Sequence, residues 1–211
     1  MKLFEPGRIG NLPLKNRIIM AAMDTSGLKE PDGTLGQRAM DYYLARARGG
    51  VGMIIHGSNL VIGDYEAMAR TTVFDSDVHL AWMDDLVAAM HDYDVRVCLV
   101  LSPGRGRCAA PDAVRVYGAV APSPVAYMWN PAITTHELTI AEIERFIAGF
   151  EFSARLLKNA GIDAVELNSH CGYIFDEFLT PLWNKRTDRY GGSLENRLRF
   201  IMESIEAIRR G

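Results

Sequence analysis

The chain has 211 residues, 48% of them hydrophobic and 23% charged, with a formal net charge of −3. That composition supports a sizeable core in an ordinary soluble globular protein. The slight acidity disfavours a nucleic-acid partner, which needs clustered Lys and Arg. No apolar run approaches the roughly 20 residues that span a bilayer, and Met1–Gly7 carries no signal-peptide core, so no membrane partner is expected. The three cysteines, Cys98, Cys108 and Cys171, have no Cys-x-x-Cys spacing. They read as reduced cytosolic thiols with neither a disulfide framework nor a metal site, which points to a cytoplasmic protein.

In chain order, Leu3–Leu14 with Gly10-Asn11 at its tip reads as a β-hairpin. Four strand-then-helix units follow. The first pairs the strand Arg17–Ala22 with a helix carrying Met40, Tyr43, Leu44 and Ala47 on one face. The second pairs Val51–His56 with the stripe Leu80, Met83, Val87 and Met90. The third strand is Val95–Leu101, and its helix opens at Thr139, which forms a capping box with Glu142. That helix carries Ile140, Ile143, Ile147, Phe150, Ala154 and Leu157, and Gly161 supplies its stop. The fourth strand is Asp163–Leu167, with a helix from about Ser193 turning Leu194, Leu198, Ile201, Ile205 and Ile208 inward. Continuous apolar strands alternating with amphipathic helices predict a parallel sheet covered by helices.

Residues 102–138 and 168–192 form loops far longer than the usual connection of about 4–6 residues. Both leave the C-terminal face of the sheet, where a (β/α)₈ barrel keeps its active site. Such a barrel takes about 250 residues, so the expected fold is α/β: the first four βα units of a TIM (β/α)₈ barrel with an N-terminal β-hairpin, forming one domain over 1–211. Half a barrel leaves two edge strands and an open sheet face. It therefore requires either the remainder of a longer chain or a partner, including another copy, to supply the other half.

The chemistry concentrates after the fourth strand, in Ala164-Val-Glu-Leu-Asn-Ser-His-Cys-Gly-Tyr173. There a short apolar strand ends in hydrogen-bonding and ionisable side chains. Asn184-Lys-Arg-Thr-Asp-Arg-Tyr-Gly-Gly-Ser193 follows, a turn in which Asp188 can pair with a nearby arginine and Ser193 can cap the next helix. The two segments closely resemble the flavin-dependent old yellow enzyme family, the NADH:flavin oxidoreductases, and within it the enoate and 2,4-dienoyl-CoA reductase branch.

The resemblance implies an FMN enzyme that reduces an activated C=C bond of an enoate, enone or enoyl thioester, with NAD(P)H reloading the flavin. It implies that Tyr173 is the phenol that protonates the substrate's α carbon, a role that suits a group with an ordinary pKa near 10. A tyrosine packing below the loop is the plainer alternative. Asn168 and Cys171 fall where the family binds the substrate oxygen; Asn168 can donate, whereas a thiol donates weakly. His170 either turns in to compensate or faces solvent. On the cofactor side, Ala22, Met23 and Asp24 stand where the family has Pro-Met-Thr or Pro-Met-Cys beneath the flavin. A carboxylate at Asp24 opposes negative charge gathering on the ring, and Met23 is equally well explained by core packing. Ser58, after Gly57, is a small residue that lets the flavin approach. Val100 replaces the glutamine that hydrogen-bonds the pyrimidine edge, within Val100-Leu-Ser-Pro-Gly-Arg-Gly-Arg107. A non-catalytic half-barrel that complements a partner chain is the competing reading.

Overall fold

The computed structural model describes residues 1–23 and 25–211. Strands β1 (Gly7–Ile9) and β2 (Leu12–Leu14) form the antiparallel hairpin, turning at Gly10, whose φ of +55° suits glycine. Next come β3 (Ile19–Met23), α1 (Gln37–Arg48), β4 (Met53–Leu60), α2 (Leu80–His91) and β5 (Arg96–Ser102). The long connection then holds α3 (Pro111–Tyr117), β6 (Val120–Ala121) and β7 (His136–Glu137) before α4 (Ile140–Asn159). The chain closes with β8 (Ala164–Leu167), α5 (Ile174–Leu179) and α6 (Leu194–Arg210). Strands β3, β4, β5 and β8 pair in parallel and in that order. Each successive strand is reached through a helix, the arrangement of consecutive barrel units.

Alternation along the strands sorts side chains to two faces. On the outer face Ile54, Val97, Leu99 and Leu101 pack against Tyr43, Met83, Met90, Phe146 and Phe150 of the helices. On the inner face Leu14 of the hairpin meets Met53 and Cys98, with Ile55 and Ala164 beside them. The hairpin thus closes the end of the sheet opposite the long loops.

The expected signals operate where they were placed. Thr139 and Glu142 make both bonds of the capping box, Ser193 Oγ accepts from Asn196 N, and Gly161 takes φ +74° after α4. Arg186, only 7% exposed, organises the 184–193 turn. It donates to the carbonyls of Pro122 (2.9 Å) and Leu138 (2.5 Å) and grips Asp188 through two bonds of 3.1 and 2.6 Å. A Cβ on Gly191 would stand 2.1 Å from the Arg186 carbonyl oxygen, so the backbone closes there only as glycine.

Three expectations are corrected. The second barrel strand runs on to Leu60, four residues beyond His56. The 102–138 and 168–192 segments are not all loop, because α3, β6 and β7 form within the first and α5 within the second. On α6 the fully buried residues are Phe200, Ser204 and Ala207, whereas Leu194 is 56% exposed. The small Ser204 and Ala207 let α6 lie close to α4.

Central β5 is buried from Val97 to Ser102, but edge strand β3 leaves Ile19 and Met23 40% and 51% exposed, and every residue of β8 retains some exposure. Unpaired edges with apolar side chains recruit further strands. The purified 211-residue chain is therefore expected to sediment as dimers or larger species at micromolar concentration. A monodisperse monomer that unfolds cooperatively would contradict this.

Candidate active site

The C-terminal ends of the four strands and the loops that follow enclose a cleft of about 600 Å³. That volume lies within the range of small-molecule and cofactor sites. Its floor is built by two neighbouring β-bulges. Between Met20 and Met23, β3 spends three residue steps while β4 spends two, from Ile54 to His56. Between His56 and Asn59, β4 does the same against Leu99 to Leu101 of β5. Bulges re-aim side chains at the rims of barrels, and here Ala22, Gly57 and Ser58 all line the cleft. The second bulge is pinned by Asn59 Nδ2, which donates to the Val100 carbonyl at 2.9 Å. Val100 and Glu166, cross-strand partners on β5 and β8, complete the floor.

Asn168, His170 and Tyr173, from the loop that follows β8, line the same cleft. Tyr173 is the N-cap of α5 and half-buried. Its ring lies 5.9 Å from that of His170, centroid to centroid. Burial raises the Tyr173 phenol above its ordinary pKa, although Arg105 opposes the shift, so it stays protonated through neutral pH. Asn168 is 4% exposed, and its Oδ1 has no hydrogen-bond partner among the described residues.

The cleft thus brings together Ala22, Ser58, Val100, Asn168, His170 and Tyr173. It does not include Met23 or Cys171. Met23, at the end of edge strand β3, is 51% exposed and so is not packed in the core either. Cys171 sits just outside the cleft with its Sγ 2.6 Å from His170 Nδ1. Asp24 lies outside the described residues.

Two carboxylates that were not singled out from sequence fix the loops. Glu66, 7% exposed, accepts the Arg105 backbone N–H at 2.5 Å and forms an ion pair with the Arg105 guanidinium at the cleft wall. Glu177 is fully buried on α5, and its Oε1 accepts the Arg107 N–H at 2.9 Å while Oε2 has no partner among the described residues. A Cβ on Gly106 would meet that carboxyl at 2.6 Å, so the Gly104–Arg107 turn lies directly on it. No pairing signal in the chain marks either contact, since the partners are 39 and 70 residues apart.

Burial pushes the Glu177 carboxyl up from 4.5 to about 8; the Arg107 amide and guanidinium oppose the shift, and Asp176 and Glu66 add to it. In the unfolded chain the same group ionises near its ordinary value. The folded state therefore holds the extra proton between about pH 4.5 and 8, and stability falls as pH rises through that window. Glu177→Gln, neutral at every pH, is expected to flatten that decline. At pH 9 it should stand about 1–2 kcal/mol above the parent in urea unfolding. Parallel stability–pH curves for the two proteins would refute this.

A parallel sheet with helices outside and a polar cleft at its C-terminal ends is the architecture of the first units of a (β/α)₈ barrel. The family model for NADH:flavin oxidoreductase / NADH oxidase matches residues 2–211. Cinnamate reductase from Clostridium sporogenes is 36% identical over 213 aligned residues, covering 99% of this chain and 32% of the relative. Old yellow enzyme from Pichia sp. AKU4542 superposes with a TM-score of 0.87 at 26% identity, covering 98% of this chain and 56% of that one. Morphinone reductase in complex with tetrahydroNAD gives 0.85 at 30% identity, covering 99% and 60%. The chain belongs to the NADH:flavin oxidoreductase / NADH oxidase family, a family of FMN flavoproteins that use NAD(P)H. It spans about a third of the length of the cinnamate reductase and under two thirds of the two superposed structures. Among the described residues no helix is long and apolar enough to cross a membrane.

Proposed function

We propose that this chain forms the substrate- and proton-handling half of an FMN-dependent ene-reductase acting on the activated C=C bond of an enoate, enone or enoyl thioester. The observation that carries this reading is that a protonated Tyr173 and a buried Asn168 line one cleft with the small residues Ala22, Gly57 and Ser58. Ala22, Gly57 and Ser58, small residues at the two bulges that line the cleft, are the ones that would hold the face of FMN's isoalloxazine. Val100 offers the ring's edge a side chain that cannot hydrogen-bond. When bound, FMN supplies hydride that originates in NAD(P)H.

The chain's own residues do the rest. The Asn168 carboxamide donates to the substrate's carbonyl oxygen and stabilises the negative charge that gathers there. The Tyr173 phenol delivers a proton to the α carbon. Its backbone is fixed as the N-cap of α5, a helix tied to the Gly104–Arg107 turn through Glu177.

The direct test is anaerobic reduction of the FMN-loaded protein by NADH or NADPH, followed by reoxidation with 2-cyclohexen-1-one. Alkene-dependent reoxidation supports the reading, and reoxidation by oxygen alone opposes it. Replacing Val100 by Gln is expected to add up to two hydrogen bonds of about 1 kcal/mol each. FMN should then bind about tenfold tighter or better by fluorescence titration; unchanged affinity would place the ring edge elsewhere. The exposed apolar positions on β3 and the part-buried ones on β8 also fit the second reading, a half-barrel that complements a partner chain.

A further inference from the structure

The chain leaves β5 through Gly104-Arg105-Gly106, with φ of +109° and +58° at the two glycines. Each glycine lies against a carboxylate. A Cβ on Gly104 would stand 2.9 Å from Glu66 Oε2, and one on Gly106 would stand 2.6 Å from Glu177 Oε2. Arg105 is therefore carried between two pinned backbone positions, and it lines the cleft together with Asn168 and Tyr173.

The grip of Glu66 leaves the outer edge of this arginine unused. Glu66 Oε2 accepts the Arg105 backbone N–H at 2.5 Å, and Oε1 accepts from Nε. An arginine that only braces a loop commonly gives its carboxylate two parallel bonds, as Arg186 does with Asp188. Among the described residues nothing accepts from Nη1 or Nη2 of Arg105, whose side chain is 41% exposed. Its neighbours are differently placed. Arg107 lies 3.9 Å from the Trp183 ring centre and donates from Nε to the Ala126 carbonyl, and Arg70 gives Nη1 to the Lys29 carbonyl. The Arg105 charge also reaches the proton donor: burial pushes the Tyr173 phenol up, and Arg105 opposes that shift.

We propose that Arg105 is the specificity-determining residue of the cleft, its Nη pair taking the ionised carboxylate of an α,β-unsaturated acid in preference to the neutral carbonyl of an enone or ester. The inference rests on the ene-reductase reading and names its substrate class. An ionised carboxylate activates an alkene poorly, because hydride arriving at the β carbon drives more negative charge onto a group that already carries one. A guanidinium fork offsets that charge where it gathers. Asn168, as a carbonyl donor, serves acids, esters and ketones alike and makes no such choice. The charges lining the cleft balance, with Lys29, Arg70 and Arg105 against Glu66, Asp112 and Glu166. The directed fork, and not a net positive field, is what selects an anion.

The test is flavin-free titration of the 211-residue chain with 1-cyclohexene-1-carboxylate and with its methyl ester, read by calorimetry. The acid should bind about tenfold or more tighter, the gain from one charge-assisted contact. Phenylglyoxal labelling with peptide mapping then locates the contact in the unsubstituted protein. Saturating acid should slow modification of Arg105 about tenfold, and the ester should not. Arg105→Lys, which keeps the charge and loses the fork, should cut the acid's advantage several-fold with an unchanged circular dichroism spectrum. Equal binding of acid and ester, binding of neither, or protection of Arg70 in place of Arg105 would overturn the proposal. Because flavin is absent throughout, failure here is distinguishable from failure of the ene-reductase reading, which shows as lost alkene-dependent reoxidation of bound FMN.

Discussion

Replacing Tyr173 by Phe is expected to slow alkene-dependent reoxidation by about 10²- to 10⁴-fold, the usual contribution of a placed general acid. The flavin's reduction by NAD(P)H and its affinity should stay within about twofold, because this oxygen is the only atom removed. Burial makes the phenol a still weaker acid than usual, which keeps it loaded with a proton at neutral pH but lowers its driving force for transfer. The rate in the parent should therefore be flat from pH 6 to 9. Stopped-flow absorbance of the two half-reactions separates the two effects. A variant equally slow in both would mean that Tyr173 shapes the cleft instead of protonating the product.

Arg186→Ala is expected to cost about 3–5 kcal/mol of stability, the range for removing one member of a buried ion pair. Arg186 is buried, and it links the β8–α6 connection to Pro122 and Leu138 of the β5–α4 connection. Its loss strands two carbonyls and leaves Asp188, whose pKa Arg186 holds below the ordinary value, without its bidentate donor. Asp188 would then titrate closer to its usual value, and the protein would become less sensitive to acid in relative terms. Urea midpoints at pH 7 measure the cost. A change below about 1 kcal/mol would show that the turn is held by Gly191 and by Asn184, which donates to Phe178 and Tyr190, without help from the guanidinium.

Much of this architecture was legible in the residues because its determinants are local. The apolar runs at 51–56, 95–101 and 163–167 and the 3.6-residue stripes that follow them carry their own periodicity. The cap at Thr139, the stop at Gly161 and the turn around Asp188 each act within a few residues. Asn168 and Tyr173 were singled out through the family resemblance of the segment after β8, and both line the cleft.

The missed features depend on distant partners. The bulges beneath Ala22 and at Gly57–Ser58 exist only through register with the neighbouring strands, so the second strand appeared to end early. Glu66 and Glu177 read as ordinary polar residues, and only the folded chain reveals that each braces the Gly104–Arg107 turn. Met23 falls on an edge strand whose exposure is set by the number of strands present, which no local pattern encodes. Cys171 reads as a weakened donor in sequence. The left-handed turn instead places its sulfur against the His170 imidazole, outside the cleft.

The central claim is that a flavin lies on the small-residue floor of the cleft that Tyr173 lines. The visible absorption spectrum of the 211-residue chain, taken after incubation with FMN and gel filtration, tests it most directly. Flavin absorbance eluting with the protein, and diminished when Ser58 is enlarged to Trp, is the predicted result. A colourless protein peak that contains folded chain, with all FMN eluting as free cofactor, would contradict it.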